Sequence, residues 1–463
     1  MCFSLKPEYQ LRRAERSIVL FKLDELGYLG EQRLVHPNIA ILLALLNGQR
    51  TWVEVKKTAN FIFNLSEPKF DSVLEKFLDE WKPYLYEVTP QNKGRVKQYD
   101  PRNFVMDAKE VDLSHYRLCA PINLGYIVAD RCSRKCIYCY GEQEFAPKRG
   151  LLPFERIKEI IEEASKLEVA NFSFSGEPFI RKDIVDIVGE IISKGMIPLL
   201  STKEYLSEDT VEKLNDIGLK RIQLSIDSSV PEIADFLTRS EGYFSEMTKL
   251  IDRLQKNDIE VTTNTVVTSY NAYIIPHLVK WLLEKNIRTI RISQYGRSLY
   301  RHTDDLFLSK EQVNWIKPHI IEIAQKFPEA RISFATYFVE NTDSETRLNK
   351  FLNRPRCTAG KSGFIINPDG TVIVCEQLPS TQEFIVGDLA QQSIMEVWNS
   401  PRLKNFLYPS KESFQGTDCY TCEHYDQCVL TMGKCIRDTL KAYGTIYAVD
   451  PNCPTASASV RLF

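Results

Sequence analysis

The sequence predicts an α/β protein organised around a partial (β/α)6, TIM-like barrel. Three observations carry that reading. Between about residues 122 and 326, six β-rich runs alternate with helix-like runs, and such alternation implies a parallel sheet. No glycine-rich dinucleotide fingerprint accompanies the repeat, which favours a partial barrel over a doubly wound sheet. The polar residues suited to chemistry gather where the runs end, at the edge where parallel α/β folds bind ligands.

The six runs are INLGYIVAD, VANFSFSG, GMIPLLST, KRIQLSID, IEVTTNTVVT and RTIRISQYG, each but the first preceded by a helix-like run such as PFERIKEIIEEASK or IPHLVKWLLEKN. Upstream, residues 1–90 read as a small domain of their own. SIVLFKL (17–23) has strand composition, and PNIAILLALLNG (37–48) starts with Pro and stops at Gly like a short buried helix. Phe70, Val73, Leu74, Phe77, Leu78 and Trp81 follow the spacing of one helix face turned to a core, and YLYEV (84–88) closes the unit as a strand. The polar stretch TPQNKGRVKQYDPRNF has the Pro and Gly punctuation of a linker, so 91–118 is assigned that role. The barrel then takes 119–330, and a cysteine-rich domain takes 350–463.

A chain of 463 residues, 43% hydrophobic and 26% charged, has enough apolar material for a large core in two or three domains. Its 59 basic and 61 acidic residues nearly cancel, so the bulk charge advertises neither nucleic acid nor anionic membrane. No segment has the length of a secretory signal or a membrane span, and a cytoplasmic location is expected. Twelve cysteines in such a chain are better read as metal ligands or catalytic thiols than as disulfides. Only Cys2 and Cys119 precede the first group, none occurs in the 217 residues after Cys139, and seven lie between Cys357 and Cys453. Two metal regions are implied.

The first group, Cys132, Cys136 and Cys139, has the spacing C-x3-C-x2-C directly after the first strand of the repeat. Three thiolates on one loop can close around a cube of iron and sulfur and leave the fourth iron open to an exchangeable ligand. A zinc site is the bland alternative, but it wants four ligands and no open position. The motif, with aromatic Tyr138 before its last Cys, resembles that of the radical S-adenosylmethionine (SAM) superfamily. The resemblance implies a 4Fe-4S cluster that cleaves SAM. Ser175, Gly176, Glu177 and Pro178 end the second strand and resemble the superfamily's Gly-Gly-Glu-Pro segment, with Ser175 departing from its first Gly. By that resemblance Glu177 pairs with the SAM ammonium. Thr202, Ser225 and Asn264 belong to the ribose and carboxylate contacts, Arg239 pairs with the carboxylate, and Tyr295 and Gly296 lie on the adenine side. Each polar residue alone is also what a strand-end cap looks like.

The second group reads Cys357, Gly370-x4-Cys375, Cys419-x2-Cys422-x5-Cys428, Cys435 and Cys453. It resembles the SPASM domain of radical SAM enzymes that modify peptides and proteins, which carries two auxiliary 4Fe-4S clusters. Six residues separate Cys428 from Cys435 where the usual pattern has three. Carried over by position, Cys357, Cys375 and Cys435 bind the first auxiliary cluster, and Cys419, Cys422, Cys428 and Cys453 the second. The first then lacks a fourth thiolate; either an iron is open, or Cys119 or a non-cysteine residue reaches it. A zinc ribbon is the competing reading of the Cys-x2-Cys pair.

The order strand, strand, helix, helix, helix in residues 1–90 resembles the winged-helix-like peptide-recognition element of peptide maturases, similar to the small chaperone of pyrroloquinoline quinone synthesis. Such elements take a leader peptide as an added strand. A generic winged helix is the alternative, since fold alone does not fix function. Together the resemblances imply a maturase of a ribosomally made precursor peptide, bound through its leader and fed electrons by an external reductant such as flavodoxin or ferredoxin. With three 4Fe-4S clusters, it is expected to form an intramolecular C-C, C-S or C-O cross-link. Peptide epimerisation, for which Cys119 is a candidate hydrogen donor, and sulfatase-type protein maturation are the rival enzyme readings. A zinc-binding or redox-sensing regulator is the non-enzyme reading.

Overall fold

Two units make up the chain, Met1–Ala120 and Pro121–Phe463. The computed structural model describes all residues except 25, 65–68, 93, 95, 143–144, 146–148, 336–342 and 457–460.

The first unit begins with β1 (Cys2–Leu5), β2 (Tyr9–Arg13), β3 (Ile18–Leu23) and β4 (Leu29–Val35). It continues with α1 (Pro37–Leu45), β5 (Asn47–Thr51), α2 (Trp52–Phe63), α3 (Lys69–Trp81) and β6 (Leu85–Glu87). Two antiparallel sheets result, in the orders β5-β1-β6 and β2-β3-β4. The strand and helices expected at 17–23, 37–48 and 70–81, and the strand at 84–88, appear as β3, α1, α3 and β6. Pro37 opens α1, His36 caps it by accepting from the Asn38 N–H at 3.2 Å, and nearly every α1 residue is buried.

On α3, Leu74, Phe77 and Trp81 are buried and Leu78 packs against the same core, whereas Val73 is 55% exposed. The Phe70 side chain lies outside the described residues. The order differs from strand, strand, helix, helix, helix: four strands precede α1, and β5 separates it from α2. Helix α2 escaped the periodicity because only Val55 and Ala59 of its twelve residues are buried. Its start is nonetheless written in the sequence as a capping box, Thr51 with Glu54. The stretch read as a linker belongs to this unit: Phe104 is buried in its core, and the Tyr99 hydroxyl accepts from the Leu11 N–H at 3.2 Å.

The second unit contains the predicted repeat. Its strands are β7 (Asn123–Ile127), β8 (Asn171–Ser175), β9 (Ile197–Leu199) with β10 (Ser201–Thr202), β11 (Arg221–Ser225), β12 (Glu260–Val267) and β13 (Thr289–Gln294). Between them run α4 (Phe154–Lys166), α5 (Ile184–Ser193), α6 (Glu208–Asp216), α7 (Pro231–Thr238), α8 (Tyr243–Lys256) and α9 (Ile275–Glu284). These helices are amphipathic in the expected sense: α4 buries Ile157, Ile160, Ile161 and Ala164, one stripe of its surface. The third strand breaks at Leu200, whose carbonyl still accepts from the Gln223 N–H at 2.9 Å. All pairings from β7 to β13 are parallel.

Both edges of the barrel sheet carry additions. Helix α10 (Lys310–Lys326) leads to β14 (Arg331–Ala335), a further parallel strand on β13. After α11 (Ser344–Leu352), β15 (Gly363–Ile366) pairs in parallel with β7, and β16 (Thr371–Ile373) and β17 (Gly387–Asp388) follow antiparallel. The cysteine-rich segment therefore grows directly from the barrel sheet. Short helices α12 (Ile394–Trp398), α13 (Pro401–Leu407), α14 (Asp418–Thr421) and α15 (Ile436–Tyr443) complete it.

Side chains alternate along the barrel strands as the pleat requires. Leu124, Tyr126, Phe172, Phe174, Ile222, Leu224, Ile290 and Ile292 are buried, while Ser173, Ser175, Gln223, Ser225, Asn264 and Ser293 keep partial exposure. One face is thus hydrophobic, and the other is lined by small polar groups. Among the described residues, no helix is long and apolar enough to cross a membrane.

Candidate active site

The loop after β7 carries Cys132, Cys136 and Cys139. Cys136 and Tyr138 are buried, and the Arg134 N–H donates to the Cys132 sulfur at 3.4 Å. Burial pushes the Cys132 thiol up to about 12, with Glu177, Cys136 and Cys139 adding to the rise. Burial also lifts Cys136 to about 11 against the pull of the Lys203 ammonium. The three thiols thus lie within electrostatic reach of one another, with Lys203 and Arg301 beside Cys139. Three neighbouring thiols, two of them beside cations, suit an iron–sulfur cluster, whose thiolate ligands are anionic and release protons on binding metal. Among the described residues, no three His, Cys, Asp or Glu side chains converge on a single metal ion.

Beneath that loop is a network that sequence reasoning missed. Asp227, 1% exposed, accepts from Lys203 Nζ at 2.9 Å, from the Val266 N–H at 2.8 Å and from the Tyr138 hydroxyl. Lys203 Nζ also donates to the Ser225 carbonyl at 3.2 Å and lies over the rings of Tyr138 and Tyr243. Burial alone would lower the Lys203 pKa, but Asp227 and the other partners raise it, so Lys203 keeps its ammonium charge. The position of both residues just past strand ends was the available signal.

The turn Ser175–Pro178 follows β8. Gly176 has φ +79°, a left-handed conformation that favours glycine. Glu177 is 2% exposed, and burial pushes its carboxyl up to about 7. It accepts from the Thr202 hydroxyl at 2.6 Å, the Lys203 N–H at 3.0 Å and the Phe179 N–H at 3.3 Å. A carboxylate has about four acceptor sites, so these bonds fix its orientation and leave capacity for one more donor. Pro178 is buried as the first residue of a short 3-10 turn. The Ser175 hydroxyl is engaged with Glu376 rather than with the turn itself.

Of the other candidates, Thr202 serves Glu177 and accepts from the Glu204 N–H at 2.9 Å. Ser225 offers its carbonyl to Lys203 and Tyr243. Asn264 accepts from the Ser293 hydroxyl at 3.2 Å on the polar face. Arg239 caps α7 with φ 52° and is exposed. Tyr295 is buried, its hydroxyl bonded to His302 Nδ1 at 2.7 Å, and Gly296 faces the Phe463 ring.

The C-terminal cysteines fall into two electrostatic groups. Cys419 lies within reach of Cys428, Cys422 and Cys453. Cys375 lies within reach of Cys357, and Lys441 within reach of both Cys435 and Cys375. Burial raises the Cys375 and Cys419 thiols to about 11. A π-helix over Asp426–Thr431 spans the first half of the interval between Cys428 and Cys435. Gly433, with φ +79°, follows it; a Cβ there would stand 2.8 Å from that of Cys357. Lys361 and Lys434 are buried nearby, and burial lowers both to about 8. Cys119, in the first unit, has its thiol raised by burial beside Arg13, Glu15 and Arg117.

Residues 126–282 match the model of the radical SAM superfamily. That match takes in the three-cysteine loop and the Glu177 turn. Residues 357–428 match the SPASM iron–sulfur cluster-binding domain. The chain is 24% identical over 345 residues to the PqqA peptide cyclase of Ruegeria pomeroyi, covering 72% of this chain and 87% of that one. To the PqqA peptide cyclase of Methylocella silvestris it is 25% identical over 348 residues, with the same coverage of 72% and 87%. In fold it is similar to Streptococcus suis SuiB bound to SAM, with a TM-score of 0.67 at 16% identity over 97% of this chain and 99% of that one. It is also similar to anSMEcpe with bound SAM, with a TM-score of 0.53 at 17% identity over 72% of this chain and 94% of that one.

Proposed function

We propose that this chain is a radical SAM maturase that forms an intramolecular cross-link in a ribosomally synthesised precursor peptide. The observation that carries it is the joining of the three-cysteine loop, the Glu177 turn and the seven-cysteine domain on one continuous sheet. The PqqA peptide cyclases, relatives over most of this chain, are named for such a substrate, and SuiB has been solved with its precursor peptide SuiA. In this reading Cys132, Cys136 and Cys139 hold the cluster that, with SAM, supplies a 5'-deoxyadenosyl radical able to remove an unactivated hydrogen.

The chain's own residues bind and orient. Glu177, steered by Thr202 and the Lys203 N–H, receives the SAM ammonium. Arg239 meets the carboxylate, and Ser225 and Asn264 line the ribose side. Lys203 and Asp227 anchor Tyr138 and hold a buried ion pair under the cysteine loop. A cross-link removes two hydrogens from the peptide, so a second electron must leave. Cys357, Cys375 and Cys435, and Cys419, Cys422, Cys428 and Cys453, are ligand sets for two auxiliary 4Fe-4S clusters suited to carry it. A flavodoxin or ferredoxin supplies the first electron. The first unit, whose sheet β2-β3-β4 ends in the edge strand β4, is the recognition element that takes the leader peptide.

Anaerobic co-expression with short peptides encoded beside the gene, followed by mass spectrometry, tests this. The expected product has lost two hydrogens. A product of unchanged mass that takes up one deuterium per modified residue when made in deuterated water would instead establish an epimerase.

A further inference from the structure

Glu376 joins three segments that the site assigns to different tasks. Its Oε1 accepts from the Tyr140 hydroxyl at 3.1 Å, and its Oε2 accepts from the Ser175 hydroxyl. Tyr140 directly follows Cys139, Ser175 opens the turn holding Glu177, and Glu376 directly follows Cys375. The charge of Glu376 raises the Tyr140 phenol, and Cys139 and Cys375 act on it in the same direction. The Tyr140 hydroxyl therefore lies within reach of a thiol from each cysteine group.

Further bonds hold the same loops together. Glu142 accepts from the Ser380 N–H at 3.0 Å, and Arg149 donates to Asp369 at 3.1 Å, Thr371 at 3.2 Å and the Ser380 carbonyl at 2.6 Å. Ser175 stands where the superfamily segment has Gly, so the donor that engages Glu376 is a side chain glycine lacks.

We propose that Glu376 is a positioning residue that couples SAM binding at the Ser175–Pro178 turn to the iron–sulfur centre held by Cys375. The inference rests on the reading of Cys375 as an auxiliary-cluster ligand. When SAM fixes the turn, the Ser175 hydroxyl fixes the carboxylate, and the carboxylate fixes the residue bonded covalently to the ligand. Coupling of this kind is reciprocal: the state of that cluster alters SAM affinity by the same factor that SAM alters the cluster.

The test uses the reconstituted full-length holoenzyme, without peptide, as wild type, Ser175→Gly, Glu376→Gln and the double variant. SAM affinity is measured by equilibrium dialysis, and the auxiliary-cluster reduction potential by redox titration with and without SAM. In the wild type, SAM shifts the potential. Each single variant is expected to weaken SAM binding about fivefold or more and to abolish the SAM-dependent shift. The double variant should be no weaker than the worse single one, as for residues acting through one bond.

Additive losses in the double variant, with the shift intact, overturn the proposal. If Glu376→Gln fails to take up iron, Ser175→Gly decides alone, because it leaves the Tyr140–Glu376 bond in place; unchanged affinity and an intact shift then overturn it. No peptide enters any arm, so failure of the maturase reading leaves the measurement valid. Unchanged iron content in Cys375→Ala sinks the ligand assignment itself and with it the coupling.

Discussion

Replacing Glu177 by Gln removes a carboxyl that is 2% exposed and whose pKa burial pushes from the ordinary 4.5 to about 7. The folded state holds this proton more tightly than the unfolded chain does. Between about pH 4.5 and 7 the folded state therefore binds more protons, and this group's contribution to stability falls as pH rises. Above pH 7 the accumulated cost approaches about 3 kcal/mol. Gln carries no such cost, though it leaves the Lys203 N–H facing an amide donor, a penalty that does not vary with pH. The stability difference between variant and wild type should thus move by about 2.5 kcal/mol in favour of the variant from pH 5 to pH 8. Urea unfolding of the apoprotein at pH 5, 6, 7 and 8 measures it. SAM binding should run the other way, strengthening in the wild type as pH rises through 7 and staying weak and flat in Glu177→Gln. A stability difference equal at every pH would refute the reasoning, since it would mean the carboxyl is ionised throughout.

Lys203→Met leaves Asp227 buried without its cation and should lower stability by about 3–5 kcal/mol; adding Asp227→Asn should recover much of that in denaturant midpoints. Gly433→Ala should drive a Cβ against Cys357 and reduce iron content, whereas Gly416→Ala, at φ +84° with open space around it, should not; iron assays on both separate steric conflict from backbone strain. If the product is a cross-link, Cys422→Ala should suppress it more than 5'-deoxyadenosine formation, and Cys119→Ala should leave it near the wild-type level. The opposite ranking by mass spectrometry would favour epimerisation.

The repeat was legible because each barrel strand is a short β-rich run set off by a helix with a single apolar stripe. Helix α4 shows that stripe at Ile157, Ile160, Ile161 and Ala164. The cysteine motif and the Glu177 turn were legible because their spacing is local. The Lys203–Asp227 pair was not, since its partners lie 24 residues apart and meet only when β10 and β11 align side by side. Glu376 was hidden for the same reason, at 201 residues from Ser175. Strand β14 went unread because it is a short edge strand with no buried residue, and its alternation amounts to Ile332 and Phe334 alone. Residues 91–118 misled as a linker because polar composition does not register that Phe104 is buried or that Tyr99 reaches β2.

The most direct test is the formation of 5'-deoxyadenosine from SAM by the anaerobically reconstituted, chemically reduced protein, compared with Cys136→Ala. Wild type should release 5'-deoxyadenosine and methionine with about four irons bound at the first cysteine loop, and Cys136→Ala should release none. Bound zinc with SAM left intact in the wild type, or 5'-deoxyadenosine from Cys136→Ala at the wild-type rate, would contradict the account.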